Sequence, residues 1–139
     1  MTRLKSAVIV MTPLLALMAM DVGSENFSAQ NAKIARGEYI THHVAMCVQC
    51  HTPRDRDGNL ISTLEFHGAP IPVERPLRGK AWAFAAPNIH GLAGWREDEV
   101  VHLLETGERY DGRSPQPPMP PFRMSREDAE AVVAYLKSL

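Results

Sequence analysis

The chain is short of cysteine, of net charge and of long apolar runs, and each shortage removes a class of answer. Its 139 residues hold two cysteines, Cys47 and Cys50, so no second Cys-x-x-Cys pair exists to complete a four-thiolate zinc site. Neither lies near the N-terminus, which excludes a lipid-modified cysteine in that region. The formal net charge is −1, and so even a balance points away from nucleic acid. The uncharged stretch from Ala7 to Met20 is fourteen residues long and is interrupted by Thr12-Pro13, against the roughly 20 apolar residues a spanning helix needs. No internal repeat stands out.

What is present at the N-terminus has the shape of an export signal. A cationic start, Met1-Thr2-Arg3-Leu4-Lys5, precedes the apolar stretch, and Val22 and Ser24 are small enough for cleavage before Glu25. Residues 1–24 are therefore expected to be a signal peptide, with a retained N-terminal anchor as the less favoured alternative. Residues 25–32 are expected to be a short linker and residues 33–139 a single domain. Loss of Arg3, Lys5 and Asp21 leaves that remainder mildly acidic, and its length is that of one domain.

Cys47-Val48-Gln49-Cys50-His51 is the stretch with the most chemistry. Two thiols three positions apart on one helical turn reach two vinyl groups of one porphyrin, and the next residue then falls under the iron. The pattern reads as covalent attachment of one haem c with His51 as iron ligand. A zinc half-site or a redox dithiol shares the Cys-x-x-Cys spacing. The first lacks further cysteines, and the second calls for strand-rich flanks where this chain has a helical pattern.

That pattern runs from Asn31 to about Cys50, with Ile34, Tyr39, Ile40 and Val44 at helical spacing and Gly37 among them. A glycine there costs up to ~1 kcal/mol relative to alanine, so close approach of another helix is expected at Gly37. A second helix is expected over about Arg96 to Thr106, with acidic Glu97, Asp98 and Glu99 at its positive end and Gly107 beyond its last turn. A third is expected from Ser125, its cap, to about Ser138, with Asp128 at the capping-box position and Ala129, Val132, Val133 and Leu136 on one face. It should cross the first near Gly37. The forty-three residues from Thr52 to Gly94 carry no helical pattern, which a compact domain rarely tolerates. A large buried prosthetic group would resolve this by giving the loop apolar surface to wrap. Trp82, Phe84 and Ile89 are candidates to pack on it, and a short hairpin is expected within Thr63 to Val73.

Ser114 to Phe122 holds five prolines in nine residues around Met119. Prolines fix φ near −65° and stop helices, so a stiff segment holds this thioether. Met119 is the leading candidate for the second axial ligand. Met124, beside the cap of the last helix, is the competitor, and His42, His43, His67, His90 and His102 are weaker ones.

Arg36-Gly37-Glu38-Tyr39 before the haem motif, Phe66 to Pro72, Ala86-Pro87-Asn88-Ile89, Gly94-Trp95-Arg96, Asp111-Gly112-Arg113, Pro118-Met119-Pro120 and Ala134-Tyr135-Leu136 together resemble a class I cytochrome c. The likeness is greatest to the haem domains in cytochrome c subunits of periplasmic alcohol and aldehyde dehydrogenases. It covers about residues 33 to 139, where those subunits often carry three such domains. The resemblance implies an all-α fold of three main helices with long loops around one covalently attached haem. It implies that Cys47 and Cys50 bind the haem and that His51 and Met119 ligate its iron, an arrangement that raises the reduction potential. It also implies that His51 donates its other ring hydrogen to a carbonyl, expected from the Gly68 to Pro72 loop. Arg75, Arg78, Lys80, Trp82 and Asn88 are candidate partners for the haem propionates.

The function expected is electron transfer without catalysis. The carrier would work in the periplasm between redox proteins such as a dehydrogenase, an oxidase or another cytochrome, within a respiratory chain or a membrane-associated complex. A haem-based ligand sensor or peroxidase-like enzyme with an open distal site is the alternative.

Overall fold

The computed structural model describes the backbone of residues 14–74 and 81–139, with side chains from residue 24 onward in those ranges. Internal contacts divide the chain into Met1–Asn31 and Ala32–Leu139. Among the described residues there are four α-helices, α1 (Leu14–Tyr39), α2 (Cys47–His51), α3 (Glu97–Thr106) and α4 (Arg126–Ser138), and one pair of two-residue strands. None of these helices is long and apolar enough to cross a membrane.

The first helix begins well before Asn31, so the stretch expected as a linker, 25–32, is helical, and it stops before the cysteines instead of running into them. Ile40–Val44 widens into a π-turn, closed by Ala45 N–H donating to the Ile40 carbonyl (2.8 Å). The buried Thr41 hydroxyl bonds back to the carbonyls of Gly37 and Glu38, both at 3.0 Å, a contact that bends helices. Met46 then adopts a left-handed conformation (φ 56°), and the chain re-enters a helix as α2. The break re-aims the Cys47–His51 turn, and such π-bulges are frequent at functional sites.

Two helices match their sequence signals closely. Gly107 closes α3 in a left-handed conformation (φ 67°), its N–H donating to the Leu103 carbonyl. Ser125 Oγ caps α4 by accepting from Asp128 N–H (3.1 Å). The Asp128 carboxylate does not complete the capping box; it pairs with Arg36 on α1 (2.9 Å), and Lys33 pairs with Glu130 (2.9 Å).

The core gathers Ile40, Val48, Phe66, Leu92, the inner faces of α3 and α4, and Tyr135. The expected crossing at Gly37 is present. A Cβ there would strike the Ala131 carbonyl oxygen, and would lie 2.6 Å from the Ala131 carbonyl carbon and 2.7 Å from Tyr135 Cβ.

The long segment before α3 is ordered by short pieces. A 3-10 turn at Ser62–Leu64 precedes β1 (Ala69–Pro70). The hairpin expected within Thr63 to Val73 does not form; β1 pairs antiparallel with β2 (Ala85–Ala86), in the register Ala69 with Ala86. The reason lies at Gly68, whose positive φ (85°) turns the chain while its N–H donates to the His51 carbonyl (2.8 Å). A further 3-10 turn, His90–Leu92, packs against α4.

Candidate functional site

A cavity of about 320 Å³ lies in the Ala32–Leu139 unit, within the ~300–1,000 Å³ usual for ligand sites. Cys47, Cys50, His51 and Met119 all line it. The structure thus brings together four residues that the sequence separates by as many as 72 positions.

α2 contributes Cys47, Cys50 and His51 from one turn. Both thiols are free, and burial pushes the Cys47 thiol up to about 11, so it stays protonated at neutral pH. A redox dithiol depends on a lowered thiol, so this environment disfavours that reading. Among the described residues no three His, Cys, Asp or Glu side chains gather into a metal site, which disfavours structural zinc.

His51 is buried, and its Nδ1 lies 2.9 Å from the Pro87 carbonyl oxygen. A carbonyl only accepts, so Nδ1 carries the proton and Nε2 keeps the lone pair. Burial lowers the His51 pKa, and the Pro87 hydrogen bond partly opposes that shift. The ring is therefore neutral, as a metal ligand must be. The supporting carbonyl comes not from the expected Gly68 to Pro72 loop but from Pro87, the residue that follows β2. Gly68 packs on that strand, since a Cβ there would lie 2.8 Å from Asn88 N, 2.9 Å from Ala86 O and 3.0 Å from the Pro87 carbonyl carbon.

The opposite wall comes from the proline segment. Ala83 N–H donates to the Pro117 carbonyl (2.8 Å), tying this segment to the approach to β2. Met119 is half-buried and faces the cavity, whereas Met124 packs against the core and is absent from the cavity lining. The Met124 backbone is held by the Leu104 carbonyl (3.0 Å). Of the five other histidines, His42 bonds Glu65 (3.3 Å), His67 and His90 stack on each other at 4.2 Å, and His102 stacks on Tyr110 at 4.4 Å. None of the five lines the cavity.

The donor set fits a porphyrin iron. An apolar chamber presents a neutral imidazole with a lone pair, a thioether and two free thiols on one helical turn. Of the residues expected to pack on the haem, Ile89 lines the cavity, Trp82 does not, and Phe84 is 86% exposed. Three of the propionate candidates, Arg75, Arg78 and Lys80, lie outside the described residues. Asn88 is exposed and its Oδ1 accepts from His90 N–H (2.9 Å).

Trp95, Val100 and Arg109 also line the cavity, and the sequence reading did not assign them there. A signal for the first two existed. Trp95 precedes the Arg96 cap and Val100 follows four positions after it, the spacing of a hydrophobic staple. Trp95 is further fixed by its indole N–H donating to the Asn88 carbonyl (3.1 Å).

Comparison with known proteins agrees with this geometry. Residues 32–136 match the family described as cytochrome c oxidase, cbb3-type, subunit III. The chain is 28% identical over 130 residues to the cytochrome c subunit of the quinone alcohol dehydrogenase of Gluconobacter oxydans (strain 621H), covering 87% of this chain and 24% of that protein. It is 27% identical over 114 residues to the fructose dehydrogenase cytochrome subunit of Gluconobacter japonicus, covering 75% and 21%. It is 28% identical over 132 residues to the gluconate 2-dehydrogenase cytochrome c subunit of Pantoea cypripedii, covering 88% and 30%. The chain thus spans between a fifth and a third of the length of these curated relatives.

Proposed function

This chain belongs to the cytochrome family described as cytochrome c oxidase, cbb3-type, subunit III, and from that membership we propose that it carries single electrons on one covalently attached haem c. The observation that carries the reading is the meeting of Cys47, Cys50, His51 and Met119 on one largely apolar cavity. When bound, the haem supplies an iron that gains and loses one electron. Cys47 and Cys50 would hold it through thioethers, and His51 Nε2 and Met119 Sδ would ligate its iron.

The chain's own residues account for the rest. The Pro87 carbonyl accepts a hydrogen bond from Nδ1–H and orients the ring. The proline segment holds Met119 in place beforehand, so little conformational freedom is lost when a weak thioether ligand engages. With His51 and Met119 both ligating the iron, no site would be left on it for a substrate, and the chain's residues would have no bond chemistry to perform. We read the helices and the loops that wrap the cavity as the layout of a small class I cytochrome c.

The relatives are named as cytochrome subunits of alcohol, fructose and gluconate dehydrogenases. We read this chain as serving a similar exchange in the periplasm, taking electrons from a dehydrogenase and passing them to an oxidase or another cytochrome, in a respiratory chain or membrane-associated complex. The cationic start and the uncharged Ala7 to Met20 stretch support export of the domain spanning 33–139, with 1–24 as the signal.

The test is to reduce the purified protein and add carbon monoxide. Slow or negligible binding at neutral pH is expected of an iron closed by Met119. Rapid, complete binding would favour an open distal site, the mark of a sensor or peroxidase.

A further inference from the structure

A haem brings two carboxylates, and an apolar chamber is costly for an anion without a partner. Among the described residues that line the cavity, Arg109 is the only one with a permanent charge. It also lines a neighbouring cavity of about 270 Å³, which shares Trp95, Val100 and Leu103 with the first. Arg109 therefore stands where the two chambers adjoin.

Its acidic neighbours have closer partners, although the Arg109 charge also helps to lower the Asp111 pKa after the larger effect of Arg113. Asp111, on the same turn, pairs with Arg113 at 2.6 Å, and Glu99, on α3, faces Arg96 at 3.6 Å. Tyr110 stacks on His102, and its hydroxyl donates to the Asp98 carbonyl (3.3 Å). The turn that carries Arg109 is pinned by its own backbone, with Arg109 N–H donating to the Arg113 carbonyl (2.9 Å) and Gly112 N–H to the Arg109 carbonyl (2.9 Å). α4 and the proline segment contribute no charged side chain to the cavity lining. A fixed turn thus sets Arg109, an exposed residue, in the wall of an apolar chamber, and a guanidinium is a fork suited to a carboxylate.

We infer that Arg109 is the cationic partner of a haem carboxylate and, through it, a residue that sets the reduction potential. The inference rests on the haem reading above. A cation beside the haem favours the reduced state, which carries one positive charge fewer, and it keeps its carboxylate partner ionised.

The test compares Arg109→Gln and Arg109→Lys with the parent protein, with Arg126→Gln as a control for general charge loss, since Arg126 pairs with Glu105 and Glu130 and does not line the cavity. Each is stained for covalent haem after denaturing electrophoresis and then titrated for midpoint potential across pH 5 to 9. Arg109→Gln is expected to keep the stain, to shift its midpoint downward and to gain a pH dependence in the neutral range, as the carboxylate loses its cation and its pKa rises. Arg109→Lys should restore most of the parent profile, and Arg126→Gln should leave the pH dependence unchanged. A stained Arg109→Gln with the parent's midpoint and pH profile would overturn the Arg109 assignment alone. A parent protein without stain would overturn the haem reading and this inference with it.

Discussion

Met119 and Met124 differ in position by five residues but sit in different surroundings, one facing the cavity and the other packed on the core. Met119→Ala should keep the covalent haem yet open the iron, so that the reduced variant binds carbon monoxide rapidly. Met124→Ala should instead lower stability by about 1–2 kcal/mol, less than the ~2–5 for a fully buried methionine because Met124 is only partly buried, without opening the iron. Absorbance spectra with carbon monoxide separate the two, and opening by Met124→Ala would reverse the assignment. Gly68 acts at one remove. Gly68→Ala places a methyl against the backbone of Ala86 to Asn88 and forces a side chain into positive φ. A loss of about 1–3 kcal/mol is expected in chemical unfolding, because no rotamer can relieve a clash with backbone. An unchanged unfolding midpoint would show that the strand behind Pro87 yields freely. The attachment motif and the proline-flanked methionine were legible in the sequence because their spacing is their chemistry. The Pro87 carbonyl was not, since a backbone acceptor has no residue signature and depends on strand register.

The crossing of α1 and α4 shows how far periodicity reaches. A glycine in a helical pattern implied a close neighbour, and the structure supplies one in Ala131 and Tyr135. Gly37→Ala improves helix propensity by up to ~1 kcal/mol, yet its methyl meets the backbone of Ala131. The steric term should win, with a net loss of about 1–3 kcal/mol in unfolding experiments; a stabilised variant would mean that the helices can separate at little cost. The same two helices share a pH-dependent link. The hydrogen bond from Lys33, followed by that residue's charge, lowers the Glu130 pKa. A carboxylate depressed in the folded state stabilises above its unfolded pKa of about 4.3 and loses that contribution as pH falls through the folded value. The unfolding midpoint of Glu130→Gln should therefore trail the parent at neutral pH and converge with it in acid. Parallel curves would show that this half-exposed pair contributes nothing. The break between α1 and α2 was not legible in the sequence, because Ile40 to Val44 keeps helical hydrophobic spacing while Thr41 bonds back onto the preceding turn.

At the scale of the molecule, the segment from Thr52 to Gly94 resisted sequence reading because its order comes from contacts distant in sequence. Phe66 is fully buried in a left-handed conformation (φ 62°), its carbonyl accepting from Ile89 and His90 N–H at 2.8 and 3.0 Å. No periodicity announces such an arrangement. The sequence did imply that these loops need something to wrap, and they fold beside an apolar chamber bearing the two thiols, the imidazole and the thioether. A porphyrin bonded to Cys47 and Cys50 is the claim on which the whole account depends. Intact mass spectrometry of the purified chain tests it directly. The account predicts a mass above that of the polypeptide by one haem, lost when both cysteines are replaced by serine. A mass equal to the polypeptide alone, from cells competent to attach haem, would contradict it.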